Sequence, residues 1–153
     1  MMTLESDDAL QLDRQICFPL YAASNLLTRL YRPVLAKLGL TYPQYLVMLV
    51  LWQQSPCSVG EIGSKLHLDS GTLTPLLKRL ELSGYVQRSR DSSDERRVLV
   101  RLSETGLGLK VAAKAVPATL SQELNMAEGD IETLRCAVKK MVRILLIHPD
   151  VKT

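Results

Sequence analysis

Two groups of side chains in this 153-residue sequence are suited to chemistry or to recognition. The first is a single thiol, Cys17, in the apolar run QICFPLY. A cysteine reacts with a peroxide as the thiolate and passes first to a sulfenic acid, so its setting decides its reactivity. The second is a set of seven basic residues between Lys78 and Arg101, against four acidic ones. Clustered positive charge of this kind favours binding to nucleic-acid phosphates.

The basic residues belong to a segment with the pattern of a winged helix-turn-helix. A capping box, Ser58 to Glu61, starts a short helix. A second helix, capped by Asp69 or Ser70, ends at Gly84. Apolar residues then alternate on both sides of a polar turn, which predicts a hairpin with one buried face, the wing. Residues 55–102 are therefore predicted to form a lobe that reads duplex DNA.

The second helix of such a lobe lies in the major groove, with short polar groups toward the bases and basic groups toward phosphates. The wing tip is placed to send an arginine into the adjacent minor groove. Asp94 is counted with these residues, and the alternative is that it only holds Arg96 in position through a charge-assisted pair. In the alternative interpretation, these charges only solvate an exposed helix and hairpin. The predicted DNA-binding residues are Ser70, Thr72, Thr74, Lys78, Arg79, Arg88, Arg90, Asp94, Arg96 and Arg97.

A long amphipathic helix is predicted from Asp13 to Leu38, because apolar residues recur there at spacings of three and four. Pro19 favours a helix start close to Cys17, since proline is comfortable only in a first turn. That start would bring the positive end of the helix dipole near the sulfur. If the helix begins at Asp13 instead, Pro19 kinks it and the dipole argument fails.

The remaining helices are read from the same periodicity. A helix starting at Tyr42 is apolar nearly all round and is predicted to be buried. After the wing, a helix from Glu104 to Val116 is interrupted by Pro117, with the alternative that a helical course resumes toward Leu124, and a last helix covers about 128–147. The terminal helices, 12–38 and 104–147, carry apolar seams with no partner in so small a domain. They therefore predict a homodimer.

Composition limits the classes of protein that this sequence can be. With 46% hydrophobic and 23% charged residues, it predicts one globular domain over residues 1–153. The longest apolar run, 45–52, is too short to span a membrane, and the acidic N-terminus lacks an export pattern, so a cytoplasmic protein is expected. Neither His67 nor His148 has partners at ligand or triad spacing. No enzyme, metal or cofactor is therefore predicted.

Several motifs resemble known families of regulators. Asp94-Glu95-Arg96 followed by VLVRLSETG resembles the wing of the multiple antibiotic resistance (MarR) regulators. The segments LTYPQYLVMLVLW and LDSGTLTPLLKRL are similar to those of the organic hydroperoxide resistance regulators (OhrR) within that family. The resemblance spans about Leu12 to Leu145. It implies a mainly α fold with a small β wing and a homodimeric repressor of palindromic operator DNA, which an organic hydroperoxide releases.

The resemblance also implies residue roles. In those regulators an L-C-F-x-L-Y motif holds the peroxidatic cysteine, here Cys17, and two tyrosines, here Tyr31 and Tyr42, donate hydrogen bonds to its sulfur. Tyr31 lies 14 residues after Cys17, about 21 Å along one helix, so the contact must come from the partner subunit. Tyr21, one turn after Cys17, is expected to shield the sulfur. Phe18, Leu20 and Met48 are expected to give the pocket an apolar lining.

This sequence departs from the family pattern at two positions. Pro19 replaces a residue that is commonly a helix former, and Gln122 stands where members with a resolving cysteine carry it. A small cellular thiol is therefore expected to cap the oxidised Cys17. Cys136 is expected to be buried packing and Cys57 a surface or turn thiol. The alternative function is a repressor of the same family released by a small aromatic or lipophilic ligand, with Cys17 inert.

Overall fold

The computed structural model describes residues 8–151, so residues 1–7 and 152–153 of the predicted domain, including most of the acidic N-terminal stretch, lie outside the described residues. The described part is mostly helical, with one small antiparallel sheet, which confirms the predicted fold class. The helices are α1 (Cys17–Ala36), α2 (Tyr42–Gln53), α3 (Val59–Leu66), α4 (Ser70–Leu82), α5 (Glu104–Ala113), α6 (Val116–Leu124) and α7 (Glu128–Ile147). The strands are β1 (Cys57–Ser58), β2 (Val86–Arg90) and β3 (Val98–Leu102), and 3-10 turns lie at Asp8–Leu10, Leu12–Arg14 and Pro149–Val151.

The core is built around α2, as its continuous apolar sequence predicts. Val47, Met48 and Leu51 are buried almost completely, and Trp52 donates from Nε1 to the carbonyl of Gly106 at 2.9 Å. Met48 was expected to line a peroxide pocket. That expectation is wrong, because the side chain is enclosed by the core on all sides.

The first helix begins at Cys17 and not at Asp13, which resolves the alternative that the sequence left open. Two 3-10 turns precede it, and Pro19 lies in its first turn, where proline removes no helical hydrogen bond. The helix ends at Ala36, and Gly39 follows with a φ of +67°. Positive φ suits glycine because it has no Cβ.

The sheet has the order β1-β3-β2, and its two longer strands form the predicted wing. Val86 pairs with Leu102 and Arg90 with Val98. The short strand β1 was not predicted: Cys57 pairs with Val100 and Ser58 with Leu99. Two residues are too few for alternation to reveal a strand in the sequence. This pairing leaves β2 as an outer strand beside α4.

The helix after the wing ends earlier than expected. It stops at Ala113, not Val116, and a new helix, α6, then runs to Leu124, the end that the sequence allowed, with Pro117 in its first turn. The physical reason is again the missing amide hydrogen of proline, which costs nothing in a first turn.

The terminal helices are poorly covered within one chain. Of the twenty residues of α1 only Leu35 is buried, and no residue of α7 is buried. Ile16 and Leu20 line a groove with the end of α7, whereas Thr28 and Tyr31 line a cavity with its beginning, so the two helices run antiparallel. None of the helices in residues 8–151 combines the length and the apolar character needed to cross a membrane.

Candidate nucleic-acid interface and thiol site

Helix α4 holds its outer face in a defined orientation. Its N-cap, Asp69, accepts hydrogen bonds from the backbone N–H of Thr72 at 2.8 Å and from the Thr72 hydroxyl at 3.0 Å. These bonds hold the pKa of the Asp69 carboxyl below its ordinary value. On the inner side Leu73, Leu77 and Leu80 are buried, and they fix the rotation of the helix.

The opposite face of α4 presents the residues expected to meet DNA. Ser70, Thr72, Lys78 and Arg79 are exposed, whereas Thr74 is half-buried and its hydroxyl donates to the carbonyl of Ser70 at 2.7 Å. Within the described part of the chain, neither Lys78 nor Arg79 forms an ion pair. Both cations are therefore free for phosphate groups.

The turn at the tip of the wing is held by its own hydrogen bonds. Arg90 donates from Nη1 to the carbonyl of Glu95 at 2.7 Å, and the Asp91 carboxylate accepts from the backbone and hydroxyl of Ser93, which lowers the pKa of Asp91. The Asp94 carboxylate accepts from the backbone N–H of Arg96 at 3.1 Å. Among the described residues Asp94 forms no ion pair with the Arg96 guanidinium, so the alternative of a charge-assisted pair is wrong, and the carboxylate closes the turn through the Arg96 backbone instead.

The wing arginines differ in whether an acidic side chain already pairs with them. Arg88 is bound by Glu81 through two side-chain hydrogen bonds, and Arg97 lies 3.7 Å from carboxylates of both Glu61 and Asp91. Arg96 is exposed and makes no ion pair among the described residues. A concave surface of about 370 Å³ lies between α3, α4 and the wing, and it brings together Ser70, Thr74, Arg88, Arg96 and Arg97.

The thiol of Cys17 is exposed and free at the first residue of α1. Ile16 caps the helix with no side-chain hydrogen bond, and no acidic residue lies in the first turn. The unpaired N–H groups there make the surroundings of the sulfur positive. Tyr21 is 69% exposed and Phe18 38%, so the first turns of α1 form no closed pocket within one chain.

The two tyrosines named with Cys17 lie together, Tyr31 near the end of α1 and Tyr42 at the first residue of α2. The rings of Tyr31 and Tyr42 are 4.7 Å apart, and both lie within 6.5 Å of the ring of Tyr45. Burial raises the pKa of Tyr31 to about 12, with smaller contributions from the phenols of Tyr42 and Tyr45, and burial also raises the pKa of Tyr42. Both phenols therefore stay protonated at neutral pH and are available as hydrogen-bond donors.

These tyrosines line one wall of an apolar cavity of about 480 Å³ between α1, α2, α6 and α7. Leu27 lines it from α1, Leu120 and Leu124 from α6, and Ile131 from α7. Cys17 lies 14 residues before Tyr31 on the same helix, too far for the phenol to reach its sulfur, as the spacing predicts.

The other two cysteines are placed opposite to expectation. Cys57 was expected at the surface but is 1% exposed in β1, and burial raises its pKa. Cys136 was expected to be buried but is exposed on α7, where its thiol donates to the Glu132 carboxylate at 3.4 Å. Pairing of β1 with β3 covers Cys57, while no element within residues 8–151 covers that side of α7.

The sequence alone did not identify Glu61 and Glu81 as the acidic partners of the wing arginines. Glu61 closes the capping box with Ser58 and faces Arg97, and its pKa is lowered mainly by the hydrogen bonds from Ser58. Glu81 and Arg88 are seven residues apart across the turn at Gly84. Only the opposite charges on either side of this glycine turn could have suggested that pair.

Comparison with known proteins gives one family. The profile of the transcriptional regulator SarA/Rot family matches residues 29–112. The organic hydroperoxide resistance transcriptional regulator of Bacillus subtilis is 43% identical over 138 residues, which cover 90% of this chain and 94% of that protein. The HTH-type transcriptional regulator TtmR of Methylorubrum extorquens is 57% identical over 114 residues. That match covers 74% of this chain and 58% of TtmR, so the chain spans less than two thirds of this relative's length.

A solved structure of reduced AbfR bound to DNA has the same fold, with a TM-score of 0.74 and 34% identity. The match covers 93% of this chain and 99% of that one, and AbfR is a protein of Staphylococcus epidermidis. The relatives are transcriptional regulators and, in the case of AbfR, a protein seen on DNA.

Proposed function

The chain belongs to the SarA/Rot-type, MarR-like family of winged-helix transcriptional regulators, and from this premise we propose that it is a repressor released from DNA by oxidation of Cys17. The oxidant is an organic hydroperoxide, and the DNA is a palindromic operator bound by a homodimer. The name of the Bacillus subtilis relative, an organic hydroperoxide resistance regulator, supports this choice of signal.

The observation that carries the proposal is the position of Cys17, a free thiol exposed at the first residue of a 20-residue helix. A peroxide has access to this sulfur, which lies beside the unpaired backbone N–H groups of the helix N-terminus. Cys57 offers the contrast, because burial raises its pKa and the wing covers it.

The chemistry proceeds in two balanced steps. The Cys17 thiolate attacks one oxygen of ROOH, the O–O bond breaks, and a proton completes the leaving alcohol ROH, so that Cys17 becomes a sulfenic acid. A small cellular thiol then attacks the sulfenic sulfur, and water leaves as a mixed disulfide forms. No second cysteine of the chain is needed, in keeping with Gln122 at the position where other members carry one.

The hydrogen bonds to Cys17 come from the partner subunit in this proposal. Tyr31 is 14 residues beyond Cys17 on α1, about 21 Å away along the helix. Its hydroxyl and that of Tyr42 are protonated donors, and both residues line the cavity between α1, α2, α6 and α7. The side of α1 and α7 beside this cavity is uncovered. A second copy placed on this side would bring its own Cys17 toward the two phenols.

The uncovered helices support a homodimer built from residues 12–38 and 104–147. Ile16 is 74% exposed, Leu26 60% and Ile144 61%, although all three are large apolar side chains. The groove between α1 and the end of α7 is lined almost entirely by apolar atoms. Contiguous apolar surface of this kind favours an obligate interface, and a symmetric dimer covers the same patch on both subunits.

Dimer geometry then links oxidation to DNA. Two half-sites of a palindrome lie about 34–36 Å apart, so both recognition helices fit only at one separation. A mixed disulfide on Cys17 adds a bulky group at the subunit interface and rotates the two 55–102 lobes relative to each other. Only one of the two lobes can then bind its half-site, so the dimer dissociates from the operator.

The cavity between α1, α2, α6 and α7 favours a second candidate function. At about 480 Å³ it is large enough for a small aromatic or lipophilic molecule, and its walls are mostly apolar. Such a ligand would release DNA without cysteine chemistry. The two candidates differ in whether Cys17 is required.

A titration of DNA binding with an organic hydroperoxide separates them. The probe is a duplex selected by the wild-type protein from a random pool, with Cys17 followed by mass spectrometry in the presence of a small thiol. We expect release from the wild type and from the matched control Cys136→Ser, no release from Cys17→Ser, and a thiol adduct on Cys17. Release of Cys17→Ser at the wild-type dose would exclude the redox function and favour the ligand-binding one.

A further inference from the structure

Glu81 connects the recognition helix directly to the wing. It lies in the last turn of α4, and its Oε1 accepts the backbone N–H of Arg88 in β2 at 2.9 Å. Its Oε2 accepts Nε and Nη2 of the same arginine at 2.9 and 2.7 Å. Three hydrogen bonds therefore join two residues, and a planar guanidinium held by two of them has little rotational freedom.

We propose that the Glu81–Arg88 pair is a clamp that sets the angle of the wing relative to α4, so that both elements meet DNA in one register. Glu81 is a positioning residue here and touches no DNA. The inference rests on the proposed function, because it assumes that α4 and the wing tip bind adjacent grooves of one duplex.

The clamp acts where the sheet offers no other support. Strand β2 is an outer strand, hydrogen-bonded to β3 on one side only. On its other side the N–H of Arg88 faces α4, and Glu81 is the acceptor. The base of the wing is held separately by Tyr85, which donates from its hydroxyl to the carbonyl of Leu38 at 2.9 Å. Without Glu81, the start of β2 stays joined to α4 through the Tyr85 N–H, which donates to the carbonyl of Leu80 at 3.0 Å, but the link at Arg88, further toward the wing tip, is lost.

Electrostatics alone and the clamp predict opposite changes in DNA affinity when the Glu81 carboxylate is removed. Replacing Glu81 by glutamine makes the surface more positive and frees the Arg88 guanidinium, which should tighten binding to any DNA. A clamp predicts weaker binding to a specific site, because the wing arginines no longer stand at a fixed distance from α4. The direction of the change therefore distinguishes the two accounts.

The test compares Glu81→Gln with wild type on a duplex selected by the wild-type protein and on a scrambled duplex of equal length. We expect about tenfold weaker binding to the selected duplex, the effect of losing one good charge-assisted hydrogen bond, and unchanged or tighter binding to the scrambled one. Glu123→Gln, which removes one exposed carboxylate on α6, is the matched control and should not lower the ratio of the two affinities.

Footprinting supplies a readout that a general loss of structure would not give. Methylation of guanine N7 reports on the major groove, and hydroxyl-radical cleavage reports on the minor groove. In Glu81→Gln we expect the α4 protection in the major groove to remain and the flanking minor-groove protection to fade. Arg88→Lys, which keeps the charge but loses the planar fork, should behave in the same way.

Two failures have different meanings. If the wild type selects no duplex at all, the proposed function fails and not the clamp alone. If Glu81→Gln binds the selected duplex as tightly as wild type, with both footprints intact, the clamp is refuted while DNA binding stands. Should Glu81→Gln unfold in circular dichroism, Arg88→Lys decides the matter, and unchanged footprints in that variant would refute the clamp.

Discussion

A methyl group added at Gly106 should destabilise the protein and disturb the wing. Gly106 is buried in α5, and an ideal Cβ there would lie 2.0 Å from the carbonyl oxygen of Tyr85 and 2.9 Å from its carbonyl carbon. These are backbone atoms at the start of the wing, and the same carbonyl oxygen accepts the N–H of Ser103 at 3.0 Å. Gly106 cannot retreat freely, since its own carbonyl accepts Trp52 Nε1.

The magnitude follows from two opposed effects. Alanine in place of glycine inside a helix is favourable by about 0.5–1 kcal/mol, whereas overpacking of a rigid site costs about 1–3 kcal/mol or more. A contact of 2.0 Å with backbone belongs at the upper end of that cost, so Gly106→Ala should lose about 2 kcal/mol net. For a chain of this size that is a fall in Tm of about 4–8 °C.

Gly108→Ala is the matched control in the same helix. A Cβ at Gly108 meets no atom within 4 Å, so only the gain in helix propensity remains and Tm should rise by about 1–4 °C. Both variants are melted at the same protomer concentration, because the Tm of a dimer depends on its concentration. The steric reasoning is refuted if Gly106→Ala is as stable as wild type, or if the Tm of both variants changes in the same direction by a similar amount.

Three further predictions concern other parts of the structure. Trp52→Phe should cost about 1–3 kcal/mol in urea unfolding, because it loses the hydrogen bond to Gly106 and leaves a gap in the core; an unchanged urea midpoint would contradict this. Tyr31→Phe should slow oxidation of the Cys17 thiol on the order of tenfold, measured as loss of thiol titre, since one donor to the charged sulfur is removed. Mixed dimers with Cys17→Ser should show whether the phenol acts across subunits, and a rate identical to wild type in Tyr31→Phe would argue against the contact. Because hydrogen bonds lower the pKa of Asp69 in the folded state, its contribution to stability is complete above the ordinary carboxyl pKa of 3.8 and is lost as pH falls through the lower folded value. Asp69→Asn should therefore flatten the fall in stability between neutral and acidic pH, and an equally steep fall would contradict that assignment.

The parts of the fold that could be predicted depend on local interactions. The capping box at Ser58, the N-cap at Asp69, the start of α2 at Tyr42 and the helix start favoured by Pro19 each involve residues within one turn of chain. Periodicity likewise predicted which face of α4 is buried. The strand β1 was missed because its two residues gain their structure only from β3, about 40 residues later in the chain.

The sequence alone determined the order of the helices and of the wing, and the polar outer face of α4, and it narrowed the start of α1 to two positions. The tertiary structure decided which charges are free and which thiols are covered: Arg88 is bound by Glu81, Asp94 closes a turn, Cys57 is buried and Cys136 is exposed. The physical reason is that burial and pairing depend on what a neighbouring element places against a side chain. Local propensities do not encode those neighbours, because the neighbouring elements lie elsewhere in the chain.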